Sequence, residues 1–192
     1  MAPNELAQQA AQHAAERAQI EAARRDLQHF APLYERYFPR IYAYCLRRVE
    51  HAQEAEDLAS QIFTQAMSNL DQFRGGVVAA WLFRIAHNTV INHNRRPQPL
   101  ALDDLAEAHI DWADPAEALI KTETHERLRQ LVARLPAEQQ DLLLLKVVGG
   151  LTADEIGAVV GKNAGAVRTA LHRIIRQLQH MYEETEGGMR YA

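Results

Sequence analysis

Arg84, Asn88, Asn92 and Arg95 are the side chains in this 192-residue chain best placed to do chemistry. They stand at i, i+4, i+8 and i+11, which on a helix is one stripe, and Trp81 lies along the same line. Amides and guanidiniums in a row, with an aromatic at the edge, can hold phosphates and hydrogen-bond or stack unpaired bases. Leu82, Phe83, Ala86 and Val90 form the opposite, apolar face. No Asp or Glu occurs between Asp71 and Asp103, yet Arg74, Arg84, Arg95 and Arg96 all fall in that window. Each phosphate contact gains by counterion release and each carboxylate opposes it, so an acid-free arginine cluster suits a polyanion. A chance gap on a solvated face is the plainer alternative. Trp81 taken by itself reads as core, because a Trp buries so much area.

A second constellation lies over Thr152–Leu178. A short helix, a tight turn at Gly161-Lys162-Asn163 and a longer helix have helix-turn-helix spacing. Val167, Leu171, Ile174 and Leu178 share one face of the longer helix and would pack on Ile156, Val159 and Val160. Thr169, Arg173 and Arg176 lie opposite, with Arg168 and His172 flanking and Lys162 in the turn. Arginines can pair with guanine edges and Thr with phosphate or a thymine methyl, which suits entry into a major groove. An ordinary helical hairpin with a basic wet face has the same spacing.

The elements that must carry these residues are all helices. Apolar residues make up 47 % and charged residues 24 %, an ordinary globular composition. Gly and Pro are too few for a turn-dense β-sandwich, so the fold class is all-α. Residues 1–28 read as a helical or frayed extension without a core of its own. From Phe30 large apolar residues recur every three or four positions, and Pro39 is expected to bend or divide that first helix. Helices about 54–70 and 78–95 follow, separated by Gly75-Gly76, and together they make a first domain over 29–96. Residues 97–113 hold prolines and acids and read as a linker. Asp114-Pro115 starts the next helix, closed by Pro136. Helices about 137–148, 152–160 and 164–183 complete a second domain over 114–183. Thr152 and Glu155 have capping-box spacing, and 184–192 reads as a flexible tail.

The net charge of −4 hides a strong segregation. Residues 31–96 carry +2 and 127–182 carry +4, while 97–126 carry −7. Two basic blocks are thus separated by an acidic strap. The lone Cys45 can form neither an internal disulfide nor a Cys-based zinc site. The N-terminus lacks the basic start and apolar block of a secretion signal, and no run is long and apolar enough for a membrane helix. The expectation is a cytoplasmic protein. There is no His-Glu-x-x-His, no Gly-x-Ser-x-Gly and no phosphate-binding glycine loop. His87 and His93 point to different helix faces, so neither an enzyme, a cofactor nor a metal site is expected.

Two strings in order carry a specific resemblance. Ala55-Glu56-Asp57-Leu58, Leu70-Asp71-Gln72-Phe73-Arg74-Gly75 and Ala80-Trp81-Leu82-Phe83-Arg84-Ile85-Ala86-His87-Asn88 resemble domain 2 of the extracytoplasmic-function sigma factors of bacterial RNA polymerase. Leu135-Pro136-Ala137-Glu138-Gln139-Gln140, Gly150-Leu151-Thr152, Glu155-Ile156 and Gly165-Ala166-Val167-Arg168 resemble their domain 4. The resemblance covers about 30–182.

That resemblance implies roles. Glu54, Glu56, Asp57, Gln61 and Phe63 would dock on the clamp coiled coil of the polymerase β′ subunit, and domain 4 would reach the β flap. Arg74, Trp81, Arg84, Asn88, Asn92, Arg95 and Arg96 would bind the −10 promoter element, with Asn88 and its neighbours holding a base flipped from the stack. Lys162, Arg168, Thr169, His172, Arg173 and Arg176 would read the −35 element. The acidic linker would thread the RNA-exit path, and an anti-sigma partner is implied. Ser60-Gln61 stand where the family has Gln-Glu, Ala170 stands for an Arg, and Ile174-Ile175 replace an Ala-Arg pair. The rival readings are a stand-alone helix-turn-helix regulator, which would bind duplex DNA unaided, and a protein-binding helical adaptor, indifferent to the Arg84/Asn88/Arg95 stripe.

Overall fold

A computed structural model describes residues 3–49, 51–95 and 127–189, and every regular element among them is helical. The Ala/Gln/Glu-rich start forms helix α1, Pro3–Ala23. Its thin apolar stripe ends in Ile20 and Ala23, both buried against the first domain. Glu16 is fully buried beside Arg36, with an ion pair of 2.9 Å. Arg24 donates to the carbonyls of Leu70 and Phe73. The N-terminal segment is therefore a docked helix whose side chains join its neighbours' core.

A short 3-10 turn, Leu27–Phe30, is capped by the Asp26 carboxylate and leads into α2, Ala31–Val49. Pro39 does not divide α2, which runs through it from Ala31 to Val49; of the two expectations, bending or dividing, the second fails. Tyr37, Ile41 and Tyr44, on both sides of the proline, are buried in one core. Packing on that scale outweighs the roughly 3 kcal/mol a mid-helix proline costs. Helices α3, Ala52–Ser68, and α4, Val78–Asn94, complete the layer. Their inner faces put Leu58, Ile62 and Phe63 in one core with Leu82, Phe83 and Val90.

In the second domain, helical residues 127–133 (α5) precede α6, Ala137–Val147, α7, Ala153–Val160, and α8, Ala164–Met189. The linker 97–113 and the expected helix start at Asp114-Pro115 lie outside the described residues. The Thr152/Glu155 capping box is formed: each side chain accepts from the other residue's backbone N–H, at 3.3 and 2.8 Å. Gly161 ends α7 in the left-handed region, φ 72°, a backbone conformation that residues with a side chain adopt only with strain. That residue sets the sharp turn between α7 and α8.

The two domains touch. Arg40 of α2 donates to the Val148 carbonyl at 3.0 Å and also to that of Gly149. Asp141 of α6 is buried among Tyr44, Arg48 and His87, while α7 lies on α4.

Candidate nucleic-acid interface

Helix α4 presents Arg84, Asn88 and Asn92 to solvent, and Arg95 is exposed at its C-terminal cap. No carboxylate among the described residues pairs with Arg74, Arg84 or Arg95, so their charge is available to a polyanion. The loop before α4 holds Gly75 and Gly76 at φ 92° and 93°, a backbone path that other residues rarely adopt. It places Arg74 beside Arg84 on one shallow cleft of about 240 Å³, which Phe73 and Trp81 also line. Arg24 fixes the root of this loop: its Nη2 donates to the Phe73 carbonyl at 2.6 Å and to that of Leu70 at 3.0 Å. Arg24 is a site-supporting residue that the sequence did not reveal, because its partners are 46 and 49 positions away. Arg96 lies outside the described residues.

Trp81 departs from the expected stripe. Only 6 % of it is exposed, and its ring meets Phe73 edge-on at 5.4 Å, so it is wall rather than stacking platform. Its indole area is worth more in the core than a free edge would be.

His87, between Arg84 and Asn88, turns inward. Its Nδ1 lies 3.3 Å from the Tyr44 hydroxyl and 4.0 Å from Asp141. Burial, assisted by the Arg48 charge and opposed by Asp141, holds it below the ordinary histidine value of 6.5. The unfolded chain therefore takes up this proton first as pH falls. The contribution of the neutral ring is present at pH 7 and lost below about 6.5. Asp141 acts in the opposite sense. Burial raises its carboxyl above 3.8 against the pull of Arg48, so its share is present at low pH and lost as pH rises through the raised value. The His87 share taken alone lowers the melting temperature as pH falls from 7 to 5. His87→Gln should shrink that fall by a few degrees in calorimetry; equal slopes in the two proteins would contradict a buried neutral ring.

The proposed polymerase-facing residues divide. Glu56, Asp57 and Gln61 are exposed on α3. Glu54 is not free as expected, because it lies 2.6 Å from His93 Nε2 and is three-quarters buried. Phe63 is not at the surface at all. It is 1 % exposed and packs against Phe30, Tyr34 and Phe38 at 6.4, 4.7 and 6.1 Å between ring centres. Its position faces the α2–α3 core, where a large apolar side chain gains most.

On α8 the expected faces are both present. Val167, Leu171 and Ile174 are buried, and Arg168, Thr169, His172, Arg173 and Arg176 are exposed. No carboxylate among the described residues pairs with Arg173 or Arg176. Arg168 lies 3.5 Å from Asp154, and Lys162 forms an ion pair with Glu138, so the turn itself is partly neutralised. Ile174, where the family carries a small residue, is a core position; Ile175 alone displaces charge from the surface.

Among known proteins, the Sigma-70 region 2 family model matches residues 33–99 and the Sigma-70, region 4 model matches residues 125–178. The RNA polymerase sigma factor YlaC of Bacillus subtilis is 32 % identical over 152 residues, spanning 77 % of this chain and 88 % of that protein. The ECF RNA polymerase sigma factor SigD of Mycobacterium tuberculosis is 31 % identical over 168 residues, 83 % of this chain and 79 % of SigD. The chain is an extracytoplasmic-function sigma factor of the sigma-70 family. Both regions of the sigma factor match, the first as well as the helix-turn-helix, so a stand-alone helix-turn-helix regulator does not describe it. The solved structure of CnrH in complex with the cytosolic domain of CnrY shares the sigma factor's fold, with a TM-score of 0.67 at 19 % identity over 88 % of this chain and 98 % of that one. Among the described residues no helix is long and apolar enough to cross a membrane.

Proposed function

We propose a residue-level division of labour for promoter recognition by this sigma factor. Glu56, Asp57 and Gln61 dock α3 on core RNA polymerase. Arg74, Arg84, Asn88, Asn92 and Arg95 hold the non-template strand of the −10 element as it leaves the duplex. Arg168, Thr169, His172, Arg173 and Arg176 read the −35 element in the major groove. The observation that carries this reading is the exposed, carboxylate-free stripe on α4, beside a loop whose arginine shares its cleft.

The division follows from the form of DNA each surface fits. Helix α8 offers side chains at major-groove spacing to intact duplex, which anchors the complex without opening it. The α4 stripe offers amides and guanidiniums to unpaired bases, so its binding favours the melted state over the duplex. Neither step needs a metal or nucleotide cofactor from this chain. The factor works in the cytoplasm beside the polymerase, and an anti-sigma protein that covers these surfaces is the fitting negative regulator.

Transcription with purified core polymerase on a promoter library, with and without the protein, tests the reading. Stimulated initiation at a defined −10/−35 pair is expected; none on any promoter would overturn it. On the selected promoter, Arg173→Ala is expected to cost about 1–3 kcal/mol of −35 recognition and to relax base preference there. Competition between −35 variants with the holoenzyme measures it, and a uniform loss on all sequences would reassign Arg173 to phosphate contact.

A further inference from the structure

Arg24, the residue that follows α1, commits its guanidinium to the root of one loop. Its Nε and Nη2 donate to the Leu70 carbonyl at 3.2 and 3.0 Å, and Nη2 also donates to that of Phe73 at 2.6 Å. Nη1 is held from the other side by both Glu21 carboxylate oxygens, at 2.6 and 2.7 Å. Meeting three groups at once suits a planar fork with fixed donor directions, not an ammonium on a flexible stem. The base from which Arg24 reaches is itself anchored. Ile20 and Ala23 are buried, and Glu16 is buried beside Arg36. Helix α1 lies outside residues 33–99, the span that matches the Sigma-70 region 2 model. The hold on residues 70–73 therefore comes from a part of the chain beyond that match.

We propose that Arg24 is a positioning residue for −10 recognition, holding the peptide unit that carries Arg74 so that Arg74 meets the same strand as Arg84. The inference rests on the assignment of Arg74 and Arg84 to the −10 element. The Phe73 carbonyl shares its peptide plane with the nitrogen and Cα of Arg74, and that plane is rigid. A hydrogen bond to the Phe73 oxygen thus fixes where the Arg74 side chain starts. Beyond that point the loop has little else to hold it. Among the described residues no backbone–backbone hydrogen bond ties residues 74–76 to the rest of the chain. Gly75 and Gly76 have φ of 92° and 93°, and a Cβ placed on either would touch nothing within 4 Å. Val77, the N-cap of α4, makes no side-chain hydrogen bond that would close the loop from its far end.

The gain is one of preorganisation. A strand leaving the duplex gains from Arg74 only what remains after the loop has been ordered around it. Arg24 orders the loop root in the free protein, so less backbone entropy is lost when the strand arrives. Phe73 meets Trp81 edge-on at 5.4 Å, which locates its ring, while the direction of its carbonyl is set by Arg24. Asp71 lies 3.7 Å from Arg24 Nε but is almost wholly exposed, so it adds little to the hold. A tie that merely fastened α1 to the domain would be served by the Leu70 carbonyl alone. Its effect on promoter opening would also be independent of Arg74.

The test uses the full-length chain with core polymerase on a promoter that the wild type opens. Arg24→Lys keeps the aliphatic stem and the charge at the end of α1 but loses the fork, so the fold should survive. Promoter opening, read by permanganate reactivity of −10 thymines, should fall about tenfold, the scale of ordering one residue of backbone. Core binding and −35 recognition should stay at wild-type levels. Amide exchange of the whole chain, followed by mass spectrometry, should quicken over residues 73–77 and not in α2 or α3. A double-mutant cycle separates positioning from structure: in an Arg74→Ala chain, Arg24→Lys should change opening by less than about twofold, since nothing is left to position. Glu21→Gln leaves Arg24 in place and removes the charge that aims its Nη1. It should act in the same direction by a smaller factor, again only where Arg74 is present. Equal fold losses with and without Arg74 would make Arg24 a structural residue and overturn the proposal. So would undiminished opening in both Arg24→Lys and Arg24→Ala, or unchanged exchange over 73–77. If Arg74→Ala by itself opens promoters normally, the −10 assignment of the loop fails, and the positioning role falls with it.

Discussion

Replacing Arg84 and Asn88 together with alanine is expected to lower promoter opening about 100-fold while core binding stays at the wild-type level. Both side chains are exposed on α4, one turn apart, and among the described residues no hydrogen bond depends on them. Their loss should therefore cost the fold little, within about 0.5 kcal/mol for surface positions. Their contacts to unpaired bases should cost far more. A good side chain–base contact is worth about 1–3 kcal/mol, and two such losses reach the roughly 2.8 kcal/mol that a factor of 100 represents. Neighbouring contacts couple, so the sum is a guide to scale. Permanganate reactivity of −10 thymines reads the opening, and native gels read the complex with core. A promoter melted beforehand over the −10 element should recover part of the defect, because strand separation is already done. Asp57→Ala is the converse control: it should weaken core binding and leave opening by the residual holoenzyme intact. A parallel loss of core binding in both variants would show the roles to be wrongly assigned.

The second large effect concerns Phe63. Phe63→Ala should destabilise the protein by about 3–5 kcal/mol, the cost of emptying a buried aromatic site. The ring sits under Phe30, Tyr34 and Phe38 and is 1 % exposed, so its removal takes away contacts on several sides. Domains are stable by only about 5–15 kcal/mol. The melting temperature should thus fall on the order of 10 °C, read by circular dichroism. Phe63→Leu should restore most of it. An unchanged melting temperature with lost core binding would instead make Phe63 a partner contact, as its place in the family motif implies.

Phe63 illustrates what the sequence could and could not carry. The 3.6-residue period of α3 puts Phe63 on one face with Leu58 and Ile62, whereas the family motif implies a partner contact. Burial decided for the period. Local signals were legible throughout: the Thr152/Glu155 capping box, the turn at Gly161, and the buried faces of α4 and α8 all depend on residues within one or two turns. Pairings between distant segments were not. Tyr44 and Asp141 are 97 positions apart, and Arg40 reaches Gly149 across 109. No periodicity links such residues. The one available sign was a carboxylate, Asp141, at the head of the apolar run Leu142–Leu145, where an unpaired charge would be costly. Trp81 was ambiguous for a related reason, since its position on the helical wheel borders both the stripe and the core, and only the neighbouring Phe73 settles which it joins.

Cys45 has a consequence for how the cell can address this factor. Its sulfur has no exposure, and burial in an apolar helix face pushes its pKa to about 12. At neutral pH the nucleophilic form amounts to on the order of one molecule in 10⁵. Peroxides and electrophilic stress agents react with thiolate, so they find no chemical handle at this position while the fold is intact. A thiol reagent would reach Cys45 only after the helix face that buries it has opened, so the rate of its labelling would time the opening of the first domain's core.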